Sequence, residues 1–175
     1  LDYFQFEYKP ETASVKHEAE NAHAYVRGTA GRVPNKNQQS DKFSQGKAVG
    51  AMNTWIEHDR SYLTTYVKAD YAGYYNLTIQ YSGTMTTLLQ YKINNAANWS
   101  TQNINDVDSN NWDGVKSTTV QVQLKQGINK IDISGAVWKW ADGTSTGRTD
   151  GKNVWDEWLN IDCFTLEYKD NVKNA

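Results

Sequence analysis

The sequence predicts an all-β protein, a β-sandwich of antiparallel strands. Three observations carry this: hydrophobic residues recur with a period of two, glycine and asparagine mark the turns between such runs, and no stretch shows a convincing amphipathic helix. Alternation is clearest where Tyr75, Leu77, Ile79 and Tyr81 interleave with Tyr74, Asn76, Thr78 and Gln80. Side chains on a strand point alternately to its two faces, so such a run buries one face and wets the other. Leu89, Tyr91 and Ile93 repeat the pattern, as do Val120, Val122 and Leu124 against Thr119, Gln121 and Gln123. The turn Lys125-Gln126-Gly127 leads into Ile131 and Ile133. About nine strands are expected on this basis, which suits a sandwich.

The 175 residues suffice for one domain with a buried core. Mean hydropathy is −0.77 and only 38% of residues are hydrophobic, the profile of a soluble, polar-surfaced chain. No run of about 18 apolar residues exists, so no membrane insertion is expected. A net charge of −2 provides no electrostatic footprint for nucleic acid. No signal peptide stands at Leu1, and the chain reads as a processed or excised piece. With a single cysteine, Cys163, no internal disulfide is possible and no cysteine-based zinc site is expected; its apolar strand context predicts a buried thiol.

Two segments interrupt the strands. Residues 94–116 are crowded with asparagine, and residues 135–157 are long, polar and rich in tryptophan. Loops beyond about 12–15 residues in a compact domain are usually functional or disordered, and tryptophans argue against disorder. Of seven tryptophans, six lie between residues 99 and 158. Flat aromatic rings beside amides and carboxylates suit a ligand with apolar faces and hydroxyl edges.

Near the start of the chain, Glu18 and Glu20 alternate with Ala19. On a strand both carboxylates would share one face and repel each other unless a cation lay between them. Hard carboxylate oxygens favour calcium over zinc. The alternative is ordinary salt bridging to Lys or Arg on an exposed face. Other metal signals fail. Asp106-Val107-Asp108-Ser109-Asn110 begins like an EF-hand loop, but Asn111 replaces the glycine and Ser117 the closing glutamate. A second calcium within 105–113 stays open. His17, His23 and His58 have no metal-ligand spacing, and no nucleophile elbow or phosphate-cradling loop is present.

Residues 1–9, Leu-Asp-Tyr-Phe-Gln-Phe-Glu-Tyr-Lys, match residues 161–169 at five of nine positions, at a constant offset of 160. Residues 1–13 therefore read as a leading strand or linker, in which 1–9 descend from the closing strand of a preceding similar module, or converge on it by chance. Residues 14–170 form the module proper, and 171–175 a tail.

Five segments, in order, carry a resemblance: Glu18-Ala19-Glu20-Asn21-Ala22, Gly46-Lys47-Ala48-Val49-Gly50, residues 72–81 (AGYYNLTIQY), residues 124–131 (LKQGINKI) and residues 160–166 (NIDCFTL). Together they resemble family 35 carbohydrate-binding modules and the related family 6. The resemblance implies a jelly-roll β-sandwich with a structural calcium site and glycan-binding loops at one end. It places the calcium on Glu18, Glu20 and Asp162, with backbone carbonyls before Gly46. It also implies that the ion would clasp the first strand to the last and couple metal binding to folding.

For the sugar, the resemblance points to Trp112, just before the strand Ser117–Leu124, and to Asn160 at the start of the closing strand. Trp138 and Trp140 follow the strand ending at Ser134. Asp142, Arg148, Asp150 and Asp156 are further hydrogen-bonding candidates or a solvated loop. Where related modules carry an aromatic after the Val-Gly pair, Ala51 stands here, and Trp55 is the substitute. The implied function is non-catalytic: a monomeric module that holds the catalytic domain of a secreted bacterial enzyme, a glycoside hydrolase or glucanotransferase, on its poly- or oligosaccharide at the cell surface or outside it. Uronic acids, galactosides, mannans and α-glucans all remain open as ligands. Two other readings stand beside it: a calcium-stiffened spacer without a ligand, and a glycoside hydrolase domain using carboxylates such as Asp156 and Glu157.

Overall fold

A computed structural model describes residues 11–13, 15–26, 35–50, 52, 54–56, 61–84, 88–104, 114–135, 137–139 and 158–170. Among them are fourteen strands. These are β1 (Glu11–Thr12), β2 (Lys16–Glu18), β3 (His23–Val26), β4 (Asn35–Gln39), β5 (Lys47–Gly50), β6 (Thr54–Ile56), β7 (Ser61–Ala69), β8 (Gly73–Thr84), β9 (Leu88–Ile93), β10 (Ser100–Asn103), β11 (Lys116–Leu124), β12 (Gly127–Ser134), β13 (Val137–Lys139) and β14 (Trp158–Asp170). The strands beyond the expected nine are mostly short. A run of two to four residues is too brief to display a period, and it acquires its hydrogen bonds from a longer neighbour.

Two sheets form the expected sandwich. One runs β1-β7-β12-β9-β10, with β3 also on β7; the other runs β11-β8-β14-β5-β4, with β2 also on β14. Pairing is antiparallel except for β1 on β7 and the small ribbon β6–β13. The residues the alternation assigned inward are inside: Tyr75, Leu77, Ile79, Tyr81, Leu89, Val120, Val122, Leu124, Ile131 and Ile133 are all buried in one core. Tyr91 and Ile93 pack against it, partly buried. Gly127 adopts φ +94° in the turn between β11 and β12, a conformation glycine reaches without a Cβ penalty.

The closing strand β14 departs from simple alternation. Opposite β8 its register slips between Ile161, facing Tyr81, and Cys163, facing Gln80, so Asp162 is an extra residue in a β-bulge. The bulge reverses the parity of the strand. Leu159 and Ile161 before it and Phe164 and Leu166 after it all enter the core. On the other edge of β14, β5 pairs at Ile161 and β2 pairs from Cys163 to Thr165. Asp162 thus sits where two strands abut along one edge.

The structure corrects one expectation here. Strand β2 ends at Glu18, and Ala19–Asn21 form a 3-10 turn, so Glu20 is not on the strand with Glu18. Backbone pairing with β14 covers residues 16–18 and does not extend into the turn.

Strand ends show where the remaining segments attach. Thr84 at the end of β8 faces Trp158 at the start of β14, and Lys116 at the start of β11 faces Tyr81. Ser134 at the end of β12 faces Tyr62 near the start of β7, and Leu88 at the start of β9 faces Asn103 at the end of β10. All these ends belong to one end of the sandwich. The opposite end carries the tight connections β7–β8 and β11–β12.

Candidate functional site

Two constellations emerge, one against the bulge of β14 and one at the end of the sandwich just described. At the first, Asp162 is 1% exposed, Glu18 is buried and Glu20 partly so. Cys163 pairs with Glu18 across β14 and β2, so their side chains lie on the same face, away from the core. His17, one residue earlier, points inward and stacks on Phe164 at 4.9 Å.

The loop before β5 closes over this face. Ser44–Gly46 form a 3-10 turn with Gln45 at φ 52° and Gly46 at φ 73°. That turn aims donors at the carboxylates. The Ser44 N–H donates to Asp162 Oδ1 at 2.8 Å, and Ser44 Oγ and Gln45 Nε2 donate to Glu18 Oε1 at 2.8 and 3.3 Å. Lys16 Nζ donates to Ser44 Oγ at 2.6 Å and stands 3.6 Å from Glu18 Oε1.

One oxygen of Glu18 is therefore fully engaged by protein donors. The other, Oε2, is buried with no hydrogen-bond partner, as is Oε2 of Glu20. A buried carboxylate oxygen without a partner is costly, and two of them beside a third acid call for a cation. Among the described residues, Lys16 is the cation set against these three carboxylates, and one positive charge does not balance them. Burial raises the Asp162 pKa, the Ser44 N–H opposes this, and the charges of Glu18 and Glu20 raise it further. Donor set, orphaned oxygens and excess negative charge fit a hard divalent ion such as calcium. Carbonyls before Gly46 are partly spoken for: Phe43 N–H donates to the Ser40 carbonyl and Gly46 N–H to that of Phe43.

The thiol that the sequence set aside also belongs to this group. Ligand atoms of Glu18, Asp162 and Cys163 lie within 4.8 Å of one another. Burial first, then Asp162 and Glu18, push the Cys163 pKa up to about 12, so without a cation the thiol is protonated, and it donates to Gln80 Oε1 at 3.1 Å. Lys16, Ser44, Gln45 and Cys163 were not singled out as site residues. For Cys163 the only sequence signal was its adjacency to Asp162, which on a regular strand would have meant opposite faces.

At the end of the sandwich, Asn160 is 5% exposed and its Nδ2 donates to Ser82 Oγ at 3.2 Å. It is hemmed in by Gly50, where an added Cβ would come within 2.6 Å of Asn160 Oδ1 and 2.7 Å of Gln38 Cγ. Met52, fully buried, ties the two sheets: its N–H donates to the Leu159 carbonyl at 3.4 Å and its carbonyl accepts from Gly135 at 3.0 Å. Just beyond it, the parallel ribbon sets Val137 opposite Thr54 and Lys139 opposite Ile56, which brings the backbones of Trp55 and Trp138 to one level. Trp112, Trp140, Asp142, Arg148, Asp150, Asp156 and Glu157 lie outside the described residues, as do the segments 1–9, 105–113 and 171–175. Trp99 packs edge-on against Tyr62 at 5.9 Å, with Lys92 Nζ 5.8 Å from its ring centre.

No family model matches the chain, and no curated protein matches it. Solved structures do. A family 35 carbohydrate-binding module from Clostridium thermocellum superposes with a TM-score of 0.61 at 18% identity, covering 88% of this chain and 98% of that one. The CBM35 from Paenibacillus barcinonensis gives 0.58 at 16% identity, covering 89% and 100%. The GH26-CBM35 β-(1,4)-mannanase of Podospora anserina gives 0.60 at 20% identity over 91% of this chain, which spans only 28% of the mannanase. The chain has the β-sandwich fold of the family 35 carbohydrate-binding modules.

Proposed function

We propose that the chain is a non-catalytic carbohydrate-binding module, attached to a larger secreted glycan-active enzyme and stiffened by a calcium ion. The observation that carries the binding role is the end of the sandwich. The strands flanking residues 85–87, 105–113 and 140–157 all finish there, and there the β6–β13 ribbon aligns Trp55 with Trp138. Strand ends that flank tryptophan-bearing stretches of sequence, all at one end of the double sheet, suit a shallow site for a sugar face, with Asn160 beside it for hydroxyls. Such a module raises the local concentration of its enzyme on a polymer by linkage. The solved mannanase that carries a CBM35 supports attachment to a catalytic domain.

Glu18, Glu20 and Asp162 would hold the calcium, which supplies the positive charge that their buried oxygens lack. Its role is structural, joining β2 and the Ser44 loop to β14.

A glycan array probed in calcium and in EDTA tests the reading. Binding that is lost in Trp112→Ala or Trp138→Ala, with the melting temperature held, is the expected result. A folded chain that binds nothing in calcium, yet melts much lower in EDTA, replaces the module by a ligand-free spacer. Sustained turnover of oligosaccharides by the isolated chain would overturn the non-catalytic assignment.

A further inference from the structure

Calcium makes no use of one wall of its proposed site. Calcium takes oxygen ligands, but among the described residues the group of donors within 4.8 Å of one another beside the bulge is two oxygens and a sulfur, from Glu18, Asp162 and Cys163. Cys163 Sγ lies 3.9 Å from Asp162 Oδ2, and both side chains are buried. Consecutive residues on a regular strand would face opposite ways; the bulge turns Asp162 and Cys163 to the same side. A second observation falls on the same acid: the Glu18 side chain is 6% exposed, and its Oε2 is buried with no hydrogen-bond partner.

We propose that this site also takes a thiophilic divalent ion of the zinc or cadmium class, held by Cys163 Sγ and a carboxylate oxygen each from Asp162 and Glu18, in competition with calcium. This rests on reading the site as a cation site. Soft sulfur favours such ions over calcium. Zinc is content with four ligands, sulfur at about 2.3 Å and oxygen at about 2.0–2.2 Å. Three protein donors and one water complete that shell, so Glu20, outside the tight group, is needed only for the larger ion. On binding, the metal–sulfur bond forms as the S–H proton leaves to solvent, and the ion keeps its oxidation state. Gln80, whose Oε1 now accepts from the thiol, answers by rotating its amide so that Nε2 donates to the thiolate.

The probe is cadmium alone, added to the full chain, read by the ultraviolet thiolate-to-cadmium absorption band. Cys163 is the sole cysteine, so any band reports this residue. The band should saturate with a single ion, vanish in Cys163→Ser, and need at least about tenfold more cadmium in Glu18→Gln. Calcium should raise the cadmium required in the wild-type chain, and Cys163→Ser should keep the rise in melting temperature that calcium produces. A wild-type chain with the calcium rise but no band removes Cys163 from the ligands while leaving the calcium reading intact. A band indifferent to calcium and to Glu18→Gln shows a thiol reacting alone and overturns the proposal. A band without any calcium rise keeps the thiophilic site and overturns the calcium reading instead. Should Glu18→Gln not fold, calcium competition in the wild-type chain decides between these outcomes.

Discussion

Ser44 and Asp162, 118 positions apart, are joined by a 2.8 Å hydrogen bond from the Ser44 N–H to Asp162 Oδ1. Through it the loop before β5 is held against the closing strand, and the same serine reaches Glu18 through its hydroxyl. Three distant parts of the chain therefore meet at one set of carboxylates, the ones proposed to hold calcium.

Calcium should for that reason act on stability. At a hundredfold excess over its Kd, a ligand bound only by the native state contributes about 2.7 kcal/mol. For a domain of this size that corresponds to a rise of about 5–10 °C in Tm. Scanning calorimetry with calcium and with EDTA should show this difference, and Glu18→Gln should abolish most of it. An unchanged Tm on chelation of calcium-loaded protein would contradict the site.

Gly50 is required for want of room. A Cβ there meets Asn160 Oδ1 at 2.6 Å and Gln38 Cγ at 2.7 Å. Gly50→Ala should cost about 1–3 kcal/mol in urea unfolding, the usual range for overpacking. Adding Asn160→Ala should recover part of that loss, because the closer of the two clashes is removed; strict additivity of the two costs would argue that the pair does not touch.

Asn129 organises the β11–β12 turn from a fully buried position. Its Oδ1 accepts from the Lys125 N–H at 3.0 Å and from Asn94 Nδ2 at 2.7 Å, and its Nδ2 donates to the carbonyls of Lys125 and Gly127 at 2.7 and 3.0 Å. Asn129→Ala strands these groups and should destabilise by about 2–4 kcal/mol. Hydrogen exchange should speed first in the ladder between β12 and β7.

On β12, Asp132 accepts from Thr64 Oγ1 at 2.6 Å and from Lys130 Nζ at 3.0 Å, although it is nearly fully buried. Thr64→Val should cost about 1–3 kcal/mol by leaving a buried acceptor short of a donor. Burial alone would lower the Lys130 pKa, but the hydrogen bond and charge of Asp132 outweigh it and the pKa is raised. The folded value lies above the unfolded one, so this contribution is complete below the ordinary lysine range and lost as pH rises through the folded value. Alkaline unfolding should be shallower in Lys130→Met than in the wild-type chain.

Much of the fold was legible in the amino acids alone. The alternations in β8, β9, β11 and β12 named both the strands and their buried faces, because a period of two is a local property that any half-buried strand must show. The same local logic put Glu18 and Glu20 on one strand face, and there it failed: β2 stops at Glu18, and Glu20 comes from the 3-10 turn that follows. Short strands such as β6 and β13 left no periodic trace, so the pairing that aligns Trp55 with Trp138 was invisible as well. What the tertiary structure alone decided is the bulge at Asp162. It arises where β2 and β5 abut on one edge of β14 while β8 holds the other, a meeting of segments far apart in the chain. By itself the sequence determined a sandwich, its core and the acids near both ends. Only the packing of three strands around one extra residue put Cys163 on the same side as those acids.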